Sequence, residues 1–183
     1  MILVHNYGYI KPLIMNKLFD IACNFTSNRF NEDLDKVIVN AIDKNVDKFL
    51  LVSAEMGDIN RILDINNLYP NNCYFTSGVH PHHANDFFDE SPSILDKLVI
   101  EHNPNAIGET GLDFFRNISS YDNQVYAFEE QIKIAIKHNK PLFLHQRDSH
   151  RDFINVLNKY KNYLPKCVVH CFTGSRDELN EYL

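Results

Sequence analysis

Apolar and polar positions along this chain follow two periods. From Met15 onward, short apolar runs of strand type are separated by longer stretches in which apolar residues recur every three or four positions. The strand-type runs are "KLFDIAC", "KFLLVSA", "CYFTSGV", "NAIGE", "PLFLH" and "KCVVHC". Between them lie the helical stretches "NEDLDKVIVNAIDKN", "MGDINRILDINNLYP", "PSILDKLVIEHN", "NQVYAFEEQIKIAIKHN" and "SHRDFINVLNKYKNY". A last helix starts in "SRDELNEYL", with Ser175 placed to cap it. Six strands alternating with helices predict an α/β fold with a parallel sheet and right-handed crossovers. Residues 1 to 14 have no partner in this alternation and read as an N-terminal extension ahead of a domain over 15–183.

Such a pattern fits either an open doubly wound sheet or a (β/α) barrel of TIM type. An open sheet places its site at one switch point, whereas a barrel gathers polar residues from the C-terminal ends of many strands. Here "CYFTSGV" runs into His80, "NAIGE" ends in Glu109, "PLFLH" in His145, and "KCVVHC" carries His170. One histidine at a strand end is ordinarily a hydrogen-bonded loop residue. Four successive strands that finish this way favour the barrel, here incomplete with about six parallel strands.

Alternation along a strand puts His145 and Arg147 on one face, and puts Cys167, Val169 and Cys171 opposite His170. A zinc site from Cys167, His170 and Cys171 would therefore have ligands pointing two ways, and those cysteines are expected to pack outward under the helices. Glu109, His145 and His170 can instead converge in the barrel mouth, where two imidazoles and a carboxylate suit Zn, Mn or a related divalent ion. In "NAIGETGLDFFRN" Glu109 follows one glycine and precedes another, which would let the backbone and a ligand come close. His82 and His83 are assigned to the loop after His80. His138 and His102 are read as cations at helix C-termini.

Composition narrows the function classes. A chain of 183 residues with 44% hydrophobic positions can build one sizeable core. Eighteen basic against 24 acidic residues, a net charge of -6, argue against a broad nucleic-acid-coating surface. A phosphate-bearing substrate would need local positive charge from a metal or a few arginines. The four cysteines form no C-x-x-C pair, and no signal-peptide pattern opens the chain, so a reducing, cytoplasmic setting is expected. Apolar runs of about five residues are too short to span a bilayer, so no membrane segment is expected.

The blocks "LFDIACNFTS", "SGVHPHHA", "AIGETGLDFFRN", "FEEQIKIAIKHNKPLFLHQRD" and "VVHCFTGSRDE" resemble, in order and spacing, the TatD family of metal-dependent deoxyribonucleases in the amidohydrolase-like superfamily. The resemblance implies a TIM-type barrel whose metals activate water to hydrolyse phosphodiester bonds in DNA. It implies that Glu109 can bridge metals, that His145 and His170 bind metal, and that His80 lies near the scissile phosphate. It also implies that Arg147 holds a phosphate, with Asp148 capping the next helix, although a structural ion pair between the two is an equal alternative. A divalent ion, Mg, Mn or Zn, is the implied cofactor, and DNA, through single-stranded ends, the implied partner.

Two departures from the family pattern stand out. Many members carry H-x-H at the first strand, where this chain has Ala22 and Asn24; Asn24 could offer a carbonyl oxygen to a weakly held Mg²⁺. The pattern also stops after the sixth strand and the start of its helix, before the family's last two β/α units and the aspartate they supply. Open first and sixth strands would then favour self-association. Two rival readings stay open: hydrolysis of a small amide or lactone, and a noncatalytic metal-binding or interaction module.

Overall fold

The computed structural model describes residues 17–183, and the proposed extension over residues 1 to 14 lies outside them. Six strands, β1 (Leu18–Cys23), β2 (Val46–Leu51), β3 (Cys73–Ser77), β4 (Ala106–Asp113), β5 (Leu142–Arg147) and β6 (Cys167–His170), form one curled parallel sheet in sequence order. The helices α1 (Leu34–Asp43), α2 (Ile59–Leu68), α3 (Ser91–His102), α4 (Tyr121–His138) and α5 (His150–Tyr160) are the crossovers, and α6 (Arg176–Tyr182) follows β6. This is the α/β half-barrel that the alternation predicted.

The helices form where their apolar positions make one stripe. On α4 the buried residues Gln124, Ala127, Phe128, Gln131, Ile132 and Ala135 recur at helical spacing. Ser120 caps its start by accepting the Asn123 N–H, and Asn139 ends it in the left-handed conformation. Ser175 caps α6 as expected, in a reciprocal box with Glu178.

Two apolar clusters lie between sheet and helices. The larger joins Ile107, Leu112, Leu142 and Leu144 of the sheet to Leu95, Phe128, Ile132 and Phe153 of α3, α4 and α5. The smaller joins Cys23, Phe49, Leu51 and Phe75 to Ile38, Ile62 and Ile65 of α1 and α2. Inside the curl, Leu50, Val52, Ala106 and Phe143 make a thin third cluster. It continues into an apolar cavity of about 240 Å³ that Phe19, Ile21 and Val168 also line.

Three expectations are corrected. β4 does not stop at Glu109 but runs on through both glycines to Asp113. A methyl group at Gly108 would fall 2.2 Å from the Phe143 carbonyl oxygen, and one at Gly111 2.0 Å from that of His145. Both glycines have positive φ, 140° and 143°, so they let β4 press against β5 rather than against a ligand. Cys167 and Cys171 do not pack under helices. β6 ends at His170, Cys171 takes a positive φ of 55° that breaks the alternation, and both cysteines are exposed. Only Val169 of that set packs on the main core. Asp148 does not cap α5: Ser149 holds the cap position, and the Asp148 carboxylate accepts the Thr173 hydroxyl instead.

Candidate metal centre

The sheet register aligns the site. Gly111 pairs with His145 and His145 with His170, so β4, β5 and β6 present one row at the C-terminal mouth. His80 lies three residues past β3, where Pro81 opens a short 3₁₀ turn. Two buried glutamines of α4, seven residues apart, hold the backbone beside the row. Gln131 accepts the Val79 N–H at 2.7 Å and donates to the Val79 carbonyl at 3.0 Å. Gln124 accepts the Asp113 N–H at 2.9 Å and donates to the Asp113 carbonyl at 3.3 Å.

Glu109 is the centre of the cluster. Its Oε1 is 2.9 Å from His145 Nδ1 and 3.4 Å from His80 Nε2, and His170 Nε2 makes a shorter contact with the same oxygen. Burial by itself pushes the Glu109 carboxyl up, but hydrogen bonds from His145, His170 and His80 outweigh it and hold the group far below the usual carboxylate range. The His80 imidazole is pushed down from its ordinary value, by burial first and then by the neighbouring rings of His145 and His82, against the pull of Glu109.

Hydrogen-bond roles distinguish the imidazoles. His80 Nδ1 accepts the backbone N–H of His82 at 3.1 Å, so the neutral ring carries its proton on Nε2 and enters the cavity as a donor. Nδ1 of His145 and Nε2 of His170 face a carboxylate oxygen that can only accept. Such an arrangement of acceptors calls for a cation or protons between them. By distance alone His80, Glu109 and His145 form a group able to hold a metal ion, with ligand atoms within 4.8 Å of one another. The donor set of one carboxylate and imidazole nitrogens fits a borderline divalent ion.

These residues line a cavity of about 320 Å³, together with Ala22, Asn24, His82, Asp113, Arg116, Arg147 and Cys171. Every site residue expected from the sequence is therefore brought to one space. Arg147 makes no ion pair with Asp148 among the described residues; its guanidinium lies over the Phe115 ring at 4.0 Å. Ala22 and Asn24 face the same mouth from β1, but the Asn24 side-chain oxygen already accepts the Thr26 hydroxyl at 3.0 Å.

Two members were not anticipated as part of the cluster. His82 Nε2 is 2.8 Å from Asp113 Oδ2, and His145 Nε2 is 3.2 Å from the same oxygen. Burial raises the Asp113 carboxyl, while the Arg116 N–H, His82 and His145 lower it, with a net shift downward. The sequence signal that could have found Asp113 is its place two pleats beyond Glu109, on the same face of the strand.

A parallel half-barrel with a carboxylate and imidazoles gathered at its C-terminal mouth has the layout of TIM-type barrels, which carry their polar site residues at the C-terminal ends of the strands. The family model for TatD related DNase matches residues 19–183, and the chain belongs to this family. It is 41% identical over 166 residues to the 3'-5' ssDNA/RNA exonuclease TatD of Erwinia billingiae and 40% identical over 166 to that of Pantoea vagans. Each alignment covers 91% of this chain and 64% of the relative, so the chain spans just under two thirds of these relatives' length. Among solved structures, a TatD homologue from Escherichia coli superposes with a TM-score of 0.82 at 27% identity, covering 90% of this chain and 64% of that one. A TatD family hydrolase from Entamoeba histolytica gives 0.81 at 27%, covering 91% and 63%.

Proposed function

We propose that this site hydrolyses phosphodiester bonds of single-stranded nucleic acid, DNA first, with a divalent cation, Mg²⁺, Mn²⁺ or Zn²⁺. The observation that carries the reading is the convergence of His145 Nδ1 and His170 Nε2 on one oxygen of Glu109 beneath an open mouth. The relatives' names, 3'-5' ssDNA/RNA exonuclease, support the substrate class and add RNA to it. When bound, the cation would lower the pKa of water and neutralise charge building on phosphate oxygens.

The chain's own residues would do the rest. Glu109, His145 and His170 hold the ion. His80 directs its Nε2 proton into the same space and donates it as a hydrogen bond to a phosphate oxygen. Arg147 grips a phosphate at the rim by paired hydrogen bonds. Phe115, 60% exposed beneath the Arg147 guanidinium, offers a face on which an unpaired base can stack. Four free cysteines support a reducing, cytoplasmic setting. Among the described residues β1 and β6 each pair with a single neighbour, which supports association of copies through these edges.

The test is nucleotide release from end-labelled single-stranded DNA with added Mn²⁺ or Mg²⁺, with chelator, and with Glu109→Gln. Release is expected to stop with chelator. With Glu109→Gln it should fall by more than the roughly 10–100-fold typical of losing a partner outside the metal's own ligands. Mn²⁺ binding without any cleavage would overturn the nuclease reading and favour a metal-binding module, which the absence of imidazoles at Ala22 and Asn24 already suggests as the alternative.

A further inference from the structure

We propose that Asp113 is the positioning residue of this centre: it fixes the tautomer of His145 so that Nδ1 turns a lone pair toward the ion, with His82 as a second tether on the same carboxylate oxygen. The inference rests on the metal reading above and names a residue that this reading does not use.

Asp113 is almost fully buried and has little freedom. Its backbone N–H is held by Gln124, and its Oδ1 accepts the Arg116 N–H at 2.9 Å. Oδ2 is left to face two imidazoles, His82 Nε2 at 2.8 Å and His145 Nε2 at 3.2 Å. An ionised carboxylate accepts only, so each of those nitrogens carries its hydrogen toward Asp113. With the Nε2 proton of His145 committed to Asp113, Nδ1 is the nitrogen left for the site, 2.9 Å from Glu109 Oε1. Without an ion it donates to that carboxylate, and an ion held between them would take the place of that proton. The carboxylate on one side of the ring thus creates the ligand atom on the other, as partners behind a metal-bound histidine do. Glu109 and Asp113 act on the two nitrogens of one ring because they stand four residues apart on a single strand, on the same side of its pleat.

Asp113→Asn separates this role from mere packing. Its carbonyl oxygen would stay with the Arg116 N–H, which places the amide NH₂ where Oδ2 was, opposite His145 Nε2. A donor there demands a lone pair on Nε2 and moves the proton to Nδ1, where it points at the ion. The shape of the side chain is unchanged.

The experiment uses the full chain: stripped of metal it is titrated with Mn²⁺ by calorimetry, and loaded with diamagnetic Zn²⁺ it gives long-range ¹H–¹⁵N spectra of its histidines. The wild type is expected to show the His145 proton on Nε2. Asp113→Asn should move it to Nδ1 and weaken Mn²⁺ binding by about 10–100-fold, with an unfolding temperature close to that of the wild type. His82→Ala, which leaves the Asp113–His145 contact in place, should weaken binding less than Asp113→Asn does. Unchanged Mn²⁺ affinity in Asp113→Asn overturns the proposal while the metal reading stands. No affinity in the wild type for Mn²⁺, Mg²⁺ or Zn²⁺ overturns both. Should Asp113→Asn fail to fold, the wild-type spectrum decides alone, since a proton on His145 Nδ1 contradicts the assignment.

Discussion

β4 and β1 belong to the same parallel sheet, yet they meet opposite environments. All eight residues of β4 are buried, whereas five of the six in β1 are exposed. β4 lies between β3 and β5, with Leu112 and Ile107 packed in the main core, and it carries both carboxylates of the site. β1 has one neighbour among the described residues and brings only Ala22 and, just past its end, Asn24 to the mouth. The difference shows what a buried charge requires. Glu109 can remain ionised inside because His145 and His170 reach it from the following strands and His80 from the preceding loop. A strand at the border of the sheet cannot be surrounded in this way.

The contrast can be broken in order of expected effect. Phe128→Ala, in the core behind β4, should cost about 3–5 kcal/mol in urea unfolding. A loss under about 1 kcal/mol would mean that α4 does not hold the strand. Gly111→Ala puts a methyl group against the His145 carbonyl, and an unfavourable φ adds to the clash, for a loss of at least about 3 kcal/mol. Near-normal stability there would show that β4 and β5 need not approach so closely.

Acid should act on the β4 side next, by a smaller amount. Folding lowers the His80 value below its ordinary 6.5 and that of Glu109 below its ordinary 4.5. In both cases the unfolded chain takes up the proton first as pH falls, so each group lowers stability in acid. With chelator present, the unfolding temperature should begin to drop below about pH 6.5 through His80 and further below about 4.5 through Glu109. Glu109→Gln should remove much of the lower step; a pH profile identical to wild type would mean that Glu109 is not held by its histidines. Last, Ile21→Ala on exposed β1 should stay within about 0.5 kcal/mol. A larger loss would show that the inner face of β1 is covered in solution, as association of copies would produce.

Much of this was legible from residue order. The six apolar runs and their helices appeared where the periods placed them, and His80, Glu109, His145 and His170 could be paired with successive strands. The extent of β4 was not legible, because Gly108 and Gly111 read as room for a ligand when their partners across the sheet are unknown. Asp113 was missed because the strand was ended at Glu109, and His82 because it was assigned to the loop after His80; only the folded chain brings them within 2.8 Å. Cys171 was misjudged because alternation was extended one residue past the end of β6. The buried amides of Gln124 and Gln131 gave no signal, since glutamine in a helical pattern ordinarily faces water.

Local periodicity is a property of neighbours in sequence, and it determined by itself that this chain alternates strands with helices, while residue order placed His80, Glu109, His145 and His170 in or just after four successive strands. Which nitrogen of His145 faces Glu109, which carboxylate stands behind the ring, and why glycines flank the site were decided by tertiary structure alone. Each depends on atoms more than 30 residues apart, as in the His145–Glu109 and His145–Asp113 contacts, and hydrogen-bond direction exists only once both partners are in place.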